Sequence, residues 1–303
     1  MKNFPKPQKK RLRRTMMFLN AQRAGLVKDA YVYKPDCIIF DLEDAVAQNQ
    51  KDSARFQLYA ALTTIDYRGI ERIVRINGIH TPFWKEDVRA AVACGCDGIR
   101  IPECETRNDV AIVEAQVEKA EKEFGREIGE TMIMAAIETP LGVINAYELA
   151  TSSPRIFGIS IGAGDYMRTM HATRTREGAE MFVARGQLVI AARAAGVMCF
   201  DTVHTDIDDL EGLEKDTMLI RQMGYDGKSV ISPKQISVIH KVFTPTEKEI
   251  LKAENTVRTL REQAETGVGV ISLEGQMVDV AMLEGAQRTI DLAKAAGVYR
   301  GDL

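Results

Sequence analysis

Two apolar runs each deliver one carboxylate into a turn. Met132-Ile133-Met134-Ala135-Ala136-Ile137 ends at Glu138, followed by Thr139-Pro140-Leu141-Gly142. Ile156-Phe157-Gly158-Ile159-Ser160-Ile161 ends at Gly162-Ala163-Gly164, then Asp165. Both runs have strand length and are closed by Gly or Pro. Unbroken apolar runs suit parallel strands covered by helices on both faces. An acid at the end of such a strand lies where α/β enzymes place their chemistry. Two hard oxygen ligands that leave room for water and substrate are the usual way to hold Mg²⁺. The chemistry this pattern suggests is metal-assisted enolate formation. Mg²⁺ on Glu138 and Asp165 would bind a 2-oxo or 2-hydroxy acid as a Lewis acid. Arg75 would offset the charge of an enolate or carboxylate.

Other strand ends carry functional groups too. They are Asp41-Leu42-Glu43-Asp44, Arg75-Ile76-Asn77, Arg100-Ile101-Pro102-Glu103 and Asp201-Thr202-Val203-His204. Any one of them, taken singly, reads better as a solvated loop charge. Together, at the carboxyl ends of strands, they read as a site. The histidines (His80, His171, His204, His240) share no metal-binding spacing, and no Ser or Cys sits in a nucleophile elbow. That argues against a serine or cysteine hydrolase. Lys228 could form a Schiff base, but Asp226-Gly227-Lys228-Ser229 reads more plainly as a turn whose lysine reaches an anion. Gly162-Ala163-Gly164 reads as backbone room beside a ligand rather than a nucleotide loop.

The elements that must position these groups alternate regularly. Strand-like runs cover Thr15–Leu19, Cys37–Phe40, Ile73–Ile76, Gly98–Ile101, Met132–Ile137, Ile156–Ile161, Val197–Phe200 and Ser229–Ile231. Amphipathic stretches such as Asp109–Phe124 and Gly178–Ala195 lie between them. The pattern predicts an α/β fold, a (β/α)8 TIM barrel with a C-terminal helical and hairpin extension. An open doubly wound sheet is disfavoured, because no Gly-x-Gly-x-x-Gly follows the first strand. The expected divisions are a basic segment over 1–14, the barrel over 15–240 and the extension over 241–303. In the extension, Pro245–Glu265 reads as a charged helix with Thr244 as N-cap and Pro245 at the first position. Val268–Leu273 and Gln276–Val278 read as a hairpin, and Val280–Ala296 as another helix. Such a tail has too little core to fold alone, so it is expected to pack on the barrel or on a neighbouring subunit.

The 303-residue chain is 45% hydrophobic and 27% charged, as soluble globular proteins are. Its net charge of -3 argues against nucleic acid as a partner. No apolar stretch approaches the roughly 20 residues of a membrane helix, and no apolar signal core follows the basic start. The five cysteines (Cys37, Cys94, Cys96, Cys104, Cys199) are expected to be small buried thiols in a reducing cytoplasm.

Seven short stretches, in order, resemble one known family. They are Phe40-Asp41-Leu42-Glu43-Asp44-Ala45-Val46, Lys51-Asp52-Ser53-Ala54-Arg55, Val74-Arg75-Ile76-Asn77, Ala135 through Gly142, Phe200-Asp201-Thr202-Val203, Gly227-Lys228-Ser229 and Gly275-Gln276-Met277-Val278-Asp279. The likeness, from about Arg13 to Ala296, is to the citrate lyase beta subunits. These belong to the citrate lyase and malyl-coenzyme A lyase superfamily of Mg²⁺-dependent barrels. The resemblance implies a lyase that splits a citryl-type thioester, such as citryl on an acyl carrier protein, into oxaloacetate and an acetyl thioester. It implies Glu138 and Asp165 as Mg²⁺ ligands and Arg75 at the substrate carbonyl and carboxylate. Gly164 would lie in the turn that receives the substrate carboxylate, with Asp165 and Arg14 also on the substrate side. Glu43 and Asp44 would stand near the metal's waters. Asp279 matches an acid that reaches a neighbouring subunit's site, and so implies a homo-oligomer, a trimer or hexamer. Other citrate lyase subunits are implied as further partners. The alternatives are a malyl- or citramalyl-coenzyme A lyase, a 2-oxo acid aldolase, and a non-catalytic subunit that binds an acyl carrier. The sequence departs from the family pattern at Phe18-Leu19-Asn20-Ala21, where Phe-Val-Pro-Gly is usual. It departs again at Glu103 for lysine, at Gly164 for glutamate and at Val280 for proline.

Overall fold

Eight parallel strands close into a barrel in sequence order. The structure, a computed structural model, describes residues 11–264, 270–273, 276–279 and 281–303, with secondary structure alone described over 262–281. The strands are β1 (Thr15–Asn20), β2 (Cys37–Asp41), β3 (Glu71–Arg75), β4 (Gly98–Ile101), β5 (Met132–Ile137), β6 (Ile156–Ile161), β7 (Met198–Asp201) and β8 (Gly227–Val230). β1 pairs with both β2 and β8, which closes the ring. Between them run α1 (Ala24–Val27), α2 (Lys51–Thr64), α3 (Trp84–Ala93), α4 (Arg107–Glu123), α5 (Pro140–Ile144), α6 (Ala146–Ala150), α7 (Ala163–Met170), α8 (Phe182–Ala195) and α9 (Leu210–Met223). α10 (Lys234–Phe243) follows β8. This is the (β/α)8 architecture expected from the alternation.

The strands are apolar because both faces are covered: β2, β4, β5 and β6 are buried at every residue. Met16, Ile39, Ile73, Met134 and Phe200 form one core cluster, with Phe18 packed against it. One level further along the strands, register aligns Asn20 with Asp41, Asp41 with Arg75, and Arg75 with Arg100. Residues paired across parallel strands share a face, so a polar layer sits on the apolar one towards the carboxyl ends.

β8 begins earlier than its apolar run suggests, at Gly227, and it takes Lys228 into the ladder opposite Thr15 and Asp201. Lys228 is therefore a strand residue rather than a turn residue. Its Nζ, fully buried, lies 2.5 Å from Asp201 Oδ2 and 2.7 Å from Asp216 Oδ2. Arg185 completes the group, 2.9 Å from each of the same two carboxylates. A buried lysine in a strand is tolerable only when paired in this way. The anion it reaches belongs to the protein, so the Schiff-base reading lapses.

The chain divides into two compact units, one up to His240 and the other Lys241–Leu303. In the second, α11 (Glu247–Ala264) and α12 (Ala281–Ala295) pack together through Ala253, Val257 and Ile290. β9 (Val270–Leu273) and β10 (Gln276–Asp279) form the antiparallel hairpin expected there. α11 starts two residues later than the proline suggested. Its cap is Thr246, whose Oγ1 accepts from the Glu249 N–H while the Glu249 carboxylate accepts from the Thr246 N–H. That reciprocal capping box prevails over a proline at the first position. The basic start over 1–10 and the Glu274-Gly275 turn lie outside the described residues. No described helix is long and apolar enough to cross a membrane. All five cysteines are buried and free.

Candidate active site

Arg75 ends β3 at the barrel mouth, where it gathers the acids of the β2 exit. Its Nε donates to Asp41 Oδ1 at 2.8 Å and its Nη2 to Asp41 Oδ2 at 2.6 Å. Nη1 lies 2.8 Å from Glu43 Oε2 and 3.2 Å from Asp44 Oδ2. The β2 exit is itself held from below. Lys51, at the start of α2, donates through Nζ to the carbonyls of Leu42 and Glu43 at 2.8 and 2.7 Å. Arg55, one turn on, bridges Asp52 and Asp87, and Asp87 accepts from the Asn77 amide at 2.6 Å. The Lys51-to-Arg55 motif thus serves to fix the loop that presents Glu43 and Asp44.

Three carboxylates around one guanidinium leave an excess of negative charge. Glu43 relieves it by keeping its proton: burial is the main cause that pushes its carboxyl up to about 8. Arg75 opposes that rise, while Glu138, Asp44 and Asp41 add to it. Glu43 Oε2 sits close to Arg75 yet off the hydrogen-bonding direction, and no donor reaches it. The 2.8 Å contact and the raised value are compatible, because Asp41 already takes the guanidinium's best-aligned edge.

Glu138 leaves β5 only 4% exposed. Its Oε1 is 3.4 Å from Arg100 Nη2, a long contact that leaves the carboxylate weakly bound. The Gly162 backbone makes room for it, since a Cβ there would lie 2.7 Å from Glu138 Cγ and Oε1. Gly164 differs: a Cβ there would meet nothing within 4 Å. Gly162 caps α7 and Gly164 lies in its first turn. Asp165 lies in the first turn of α7, where an acid is favoured by the free N–H groups. Its Oδ1 accepts from Arg168 Nη2 at 2.8 Å. Glu103, just after β4 and with φ of 48°, completes the acidic group. Burial first, and then Glu138 and Asp165, raise its carboxyl.

These acids fit a magnesium ion. Glu138 is a hard donor with one weak partner, and it shares its charge field with Asp165 and Glu103. Among the described residues no three metal-binding side chains cluster tightly enough to hold an ion by themselves. At most two protein ligands plus waters is what Mg²⁺ ordinarily accepts.

The structure brings Arg75, Glu43 and Asp44 together, and Glu138 belongs to the same charge field. Asp165 and Gly164 stand in the first turn of α7, after the neighbouring strand β6. Arg14 is not brought to them. It precedes β1, at the amino end of the barrel, and its Nε and Nη2 donate to Asp36 at 2.8 and 2.9 Å. Chain direction decides this, because a residue before a strand lies at the opposite end from residues after strands. Asp279 lies in β10, and its side chain is outside the described residues. Sequence reasoning counted Arg100 among the strand-end groups without giving it a role, and it gave Phe18 none. The Phe18 ring lies 5.1 Å from the Arg75 guanidinium and 5.3 Å from that of Arg100. Period-two alternation from Ile73 and Gly98 was the available signal, since it puts Arg75 and Arg100 inside the barrel.

A cavity of about 290 Å³ borders α7, lined by Ala163, Met167, Arg174, Arg176, Thr202 and His204 among others. The Thr202 hydroxyl accepts from the Ala163 N–H at 3.1 Å and so ties the β7 exit to α7. Burial, and then Lys228, hold the His204 imidazole below its ordinary value.

A parallel barrel whose strand ends present two acids suited to a metal beside buried arginines defines a class of enzyme. The chain belongs to the HpcH/HpaI aldolase/citrate lyase family, whose pattern matches residues 14–233, and it is a carbon–carbon lyase. Within that family its likeness is to citrate lyase beta subunits. It is 50% identical to the citrate lyase subunit beta of Leuconostoc mesenteroides subsp. cremoris over 285 residues, 94% of either chain. Protein CitE from Mycobacterium tuberculosis, solved in complex with magnesium, acetoacetate and coenzyme A, matches with a TM-score of 0.74 at 28% identity, covering 93% of this chain and 98% of that one. The citrate lyase beta subunit of the same organism, complexed with oxaloacetate and magnesium, matches with a TM-score of 0.65 at 28% identity over 78% of this chain and 99% of that one.

Proposed function

We propose that this chain cleaves a citryl-type thioester, carried on an acyl carrier protein or on coenzyme A, into oxaloacetate and an acetyl thioester. The observation that carries this reading is Glu138 standing within reach of Arg100, one strand from Arg75, at the carboxyl end of the barrel. A carboxylate suited to a metal and two guanidinium groups form a place for a polyanion. Glu138 and Asp165 are the residues that would hold Mg²⁺. The ion would supply Lewis-acid stabilisation of the substrate's hydroxyl and carboxylate oxygens.

The chain's own groups do the rest. The first turn of α7, with Gly164, offers N–H groups to a substrate carboxylate. Arg75 offsets the charge that develops when the carbon–carbon bond electrons move into the thioester enolate. Glu43, which holds its proton up to about pH 8, is a proton source close to Arg75. Asp44 steadies the same guanidinium from the solvent side. As the bond breaks, the citryl hydroxyl gives its proton to a base at the site and becomes the carbonyl of oxaloacetate; Asp279, by the family resemblance, reaches in from a neighbouring subunit and delivers one proton to the enolate carbon, which would make the working enzyme a homo-oligomer. Partner subunits that supply the acyl carrier complete this reading.

The test is a substrate panel. Oxaloacetate release from citryl thioesters is compared with cleavage of malyl and citramalyl thioesters, with Mg²⁺ and with EDTA. Citryl cleavage abolished by EDTA supports the proposal. Preference for malyl or citramalyl coenzyme A would move the substrate assignment to that reading. Glu138→Ala and Asp165→Ala should each abolish turnover with the fold intact. Full activity in either variant at limiting Mg²⁺ refutes the metal assignment.

A further inference from the structure

Arg100 is 3% exposed, and two of its three guanidinium nitrogens, Nε and Nη1, have no hydrogen-bond partner. Its third nitrogen, Nη2, makes only the 3.4 Å contact with Glu138. Each of its two forked edges, Nε with Nη2 and Nη1 with Nη2, therefore keeps an unpaired nitrogen. Arg75 is the reverse: all three of its nitrogens face carboxylates of the β2 exit. A buried cation without partners is costly, and an anion that supplied the missing partners would remove that cost. The polar layer at the barrel mouth thus contains one arginine already satisfied by the protein and one still unsatisfied, with the Phe18 ring against both. Phe18 is only partly buried.

We propose that Arg100 is a specificity-determining residue that binds the distal carboxylate of a four-carbon 2-oxo diacid, the carboxylate that three-carbon and two-carbon 2-oxo acids lack. The inference rests on the lyase reading above and deepens it. Glu138 fixes where the 2-oxo acid end lies, beside the metal. Arg100 touches Glu138 through Nη2 alone and keeps Nε and Nη1 without a partner beside it. A planar carboxylate matches a guanidinium fork, whereas a lysine ammonium would offer a single point contact.

Equilibrium binding of oxaloacetate and of pyruvate, each freshly prepared and with Mg²⁺ present, tests this on the wild-type protein and on Arg100→Lys. Pyruvate is the same 2-oxo acid without the distal carboxylate. Wild type should bind oxaloacetate at least ~10-fold more tightly than pyruvate, the scale of a hydrogen bond to a charged group. Arg100→Lys should erase that preference while pyruvate affinity and Mg²⁺ affinity stay at the wild-type level. Equal weakening of both ligands, or weakened Mg²⁺ binding, would show that Arg100 only sets Glu138 and would overturn the proposal. A retained preference in the variant would overturn it as well. Should Arg100→Lys not fold, the wild-type comparison still decides, because equal binding of the two ligands refutes the idea without any variant. Failure of both ligands to bind wild type would bring down the lyase reading itself. A lost or absent preference leaves that reading standing.

Discussion

Glu43 shows how a residue's chemistry depends on its neighbours more than on its type. A glutamate on an open loop ionises near 4.5, whereas here burial, with Glu138, Asp44 and Asp41 nearby, pushes the carboxyl up to about 8 against the pull of Arg75. The folded state therefore binds this proton more tightly than the unfolded chain does. Its contribution to stability is fully present below about pH 4.5 and is lost as pH rises through about 8. Urea unfolding of the metal-free protein across that range should show stability falling with pH, and Glu43→Gln should remove that part of the slope. Mg²⁺ held by Glu138 would offset one of the charges that raise Glu43, so saturating metal should move its titration downward. A Glu43 titration seen by NMR near pH 4.5 in the metal-free protein would contradict this account.

Among the elements, the β6–α7 turn couples the sheet to the proposed metal site. Gly162 and Gly164 look alike in sequence and differ in what surrounds them. A methyl group at Gly162 would collide with the Glu138 side chain, while one at Gly164 would enter open space. Gly162→Ala should therefore displace Glu138 and weaken Mg²⁺ binding more than 10-fold, about 1.4 kcal/mol. Its melting temperature should change little, since the clash is with a movable side chain. Gly164→Ala should leave the Mg²⁺ affinity near wild type. Titration calorimetry with Mg²⁺ on both variants checks the contrast, and equal behaviour of the two would refute it.

On the scale of the whole molecule, the buried group of Arg185, Asp201, Lys228 and Asp216 joins the barrel wall to α8 and α9. Burial alone would raise the Asp216 carboxyl, but Lys228 and Arg185 hold it down to about 2. A depressed carboxylate stabilises the folded state above its unfolded value of 3.8, and that stability is lost as pH falls towards about 2. The loss is on the order of 2 kcal/mol over this window. Denaturation at pH 6, 4 and 2.5 should show Asp216→Asn losing less over that range than wild type does. Assembly is tested by subunit exchange. An inactive Asp279→Asn chain mixed with an inactive Glu138→Gln chain should regain activity if sites are shared between subunits. Exchange verified by mass with no activity regained would refute sharing. Full activity of Asp279→Asn alone would leave Asp279 as a cap of α12, worth about 1 kcal/mol.

The sequence by itself determined the barrel and the strand ends that carry acids. Buried parallel strands must be apolar, and their exits must turn, so Glu138, Asp165 and the Asp41-to-Asp44 cluster stood out as charges directly after hydrophobic runs. It misjudged Lys228, because a charged residue inside a strand breaks the apolar pattern, and only Asp201, Asp216 and the pairing with β1 and β7 make the position tolerable. It grouped Arg14 with the site, because short motifs carry no information about which end of a barrel they occupy. The cap of α11 went to Thr246 rather than Thr244, a choice between two threonines that the reciprocal bond with Glu249 decides. Tertiary structure alone separated the two arginines of the polar layer. Their pairing depends on which carboxylates the closed sheet places within 3 Å of each guanidinium, and that distance is a property of strand register and closure rather than of local sequence.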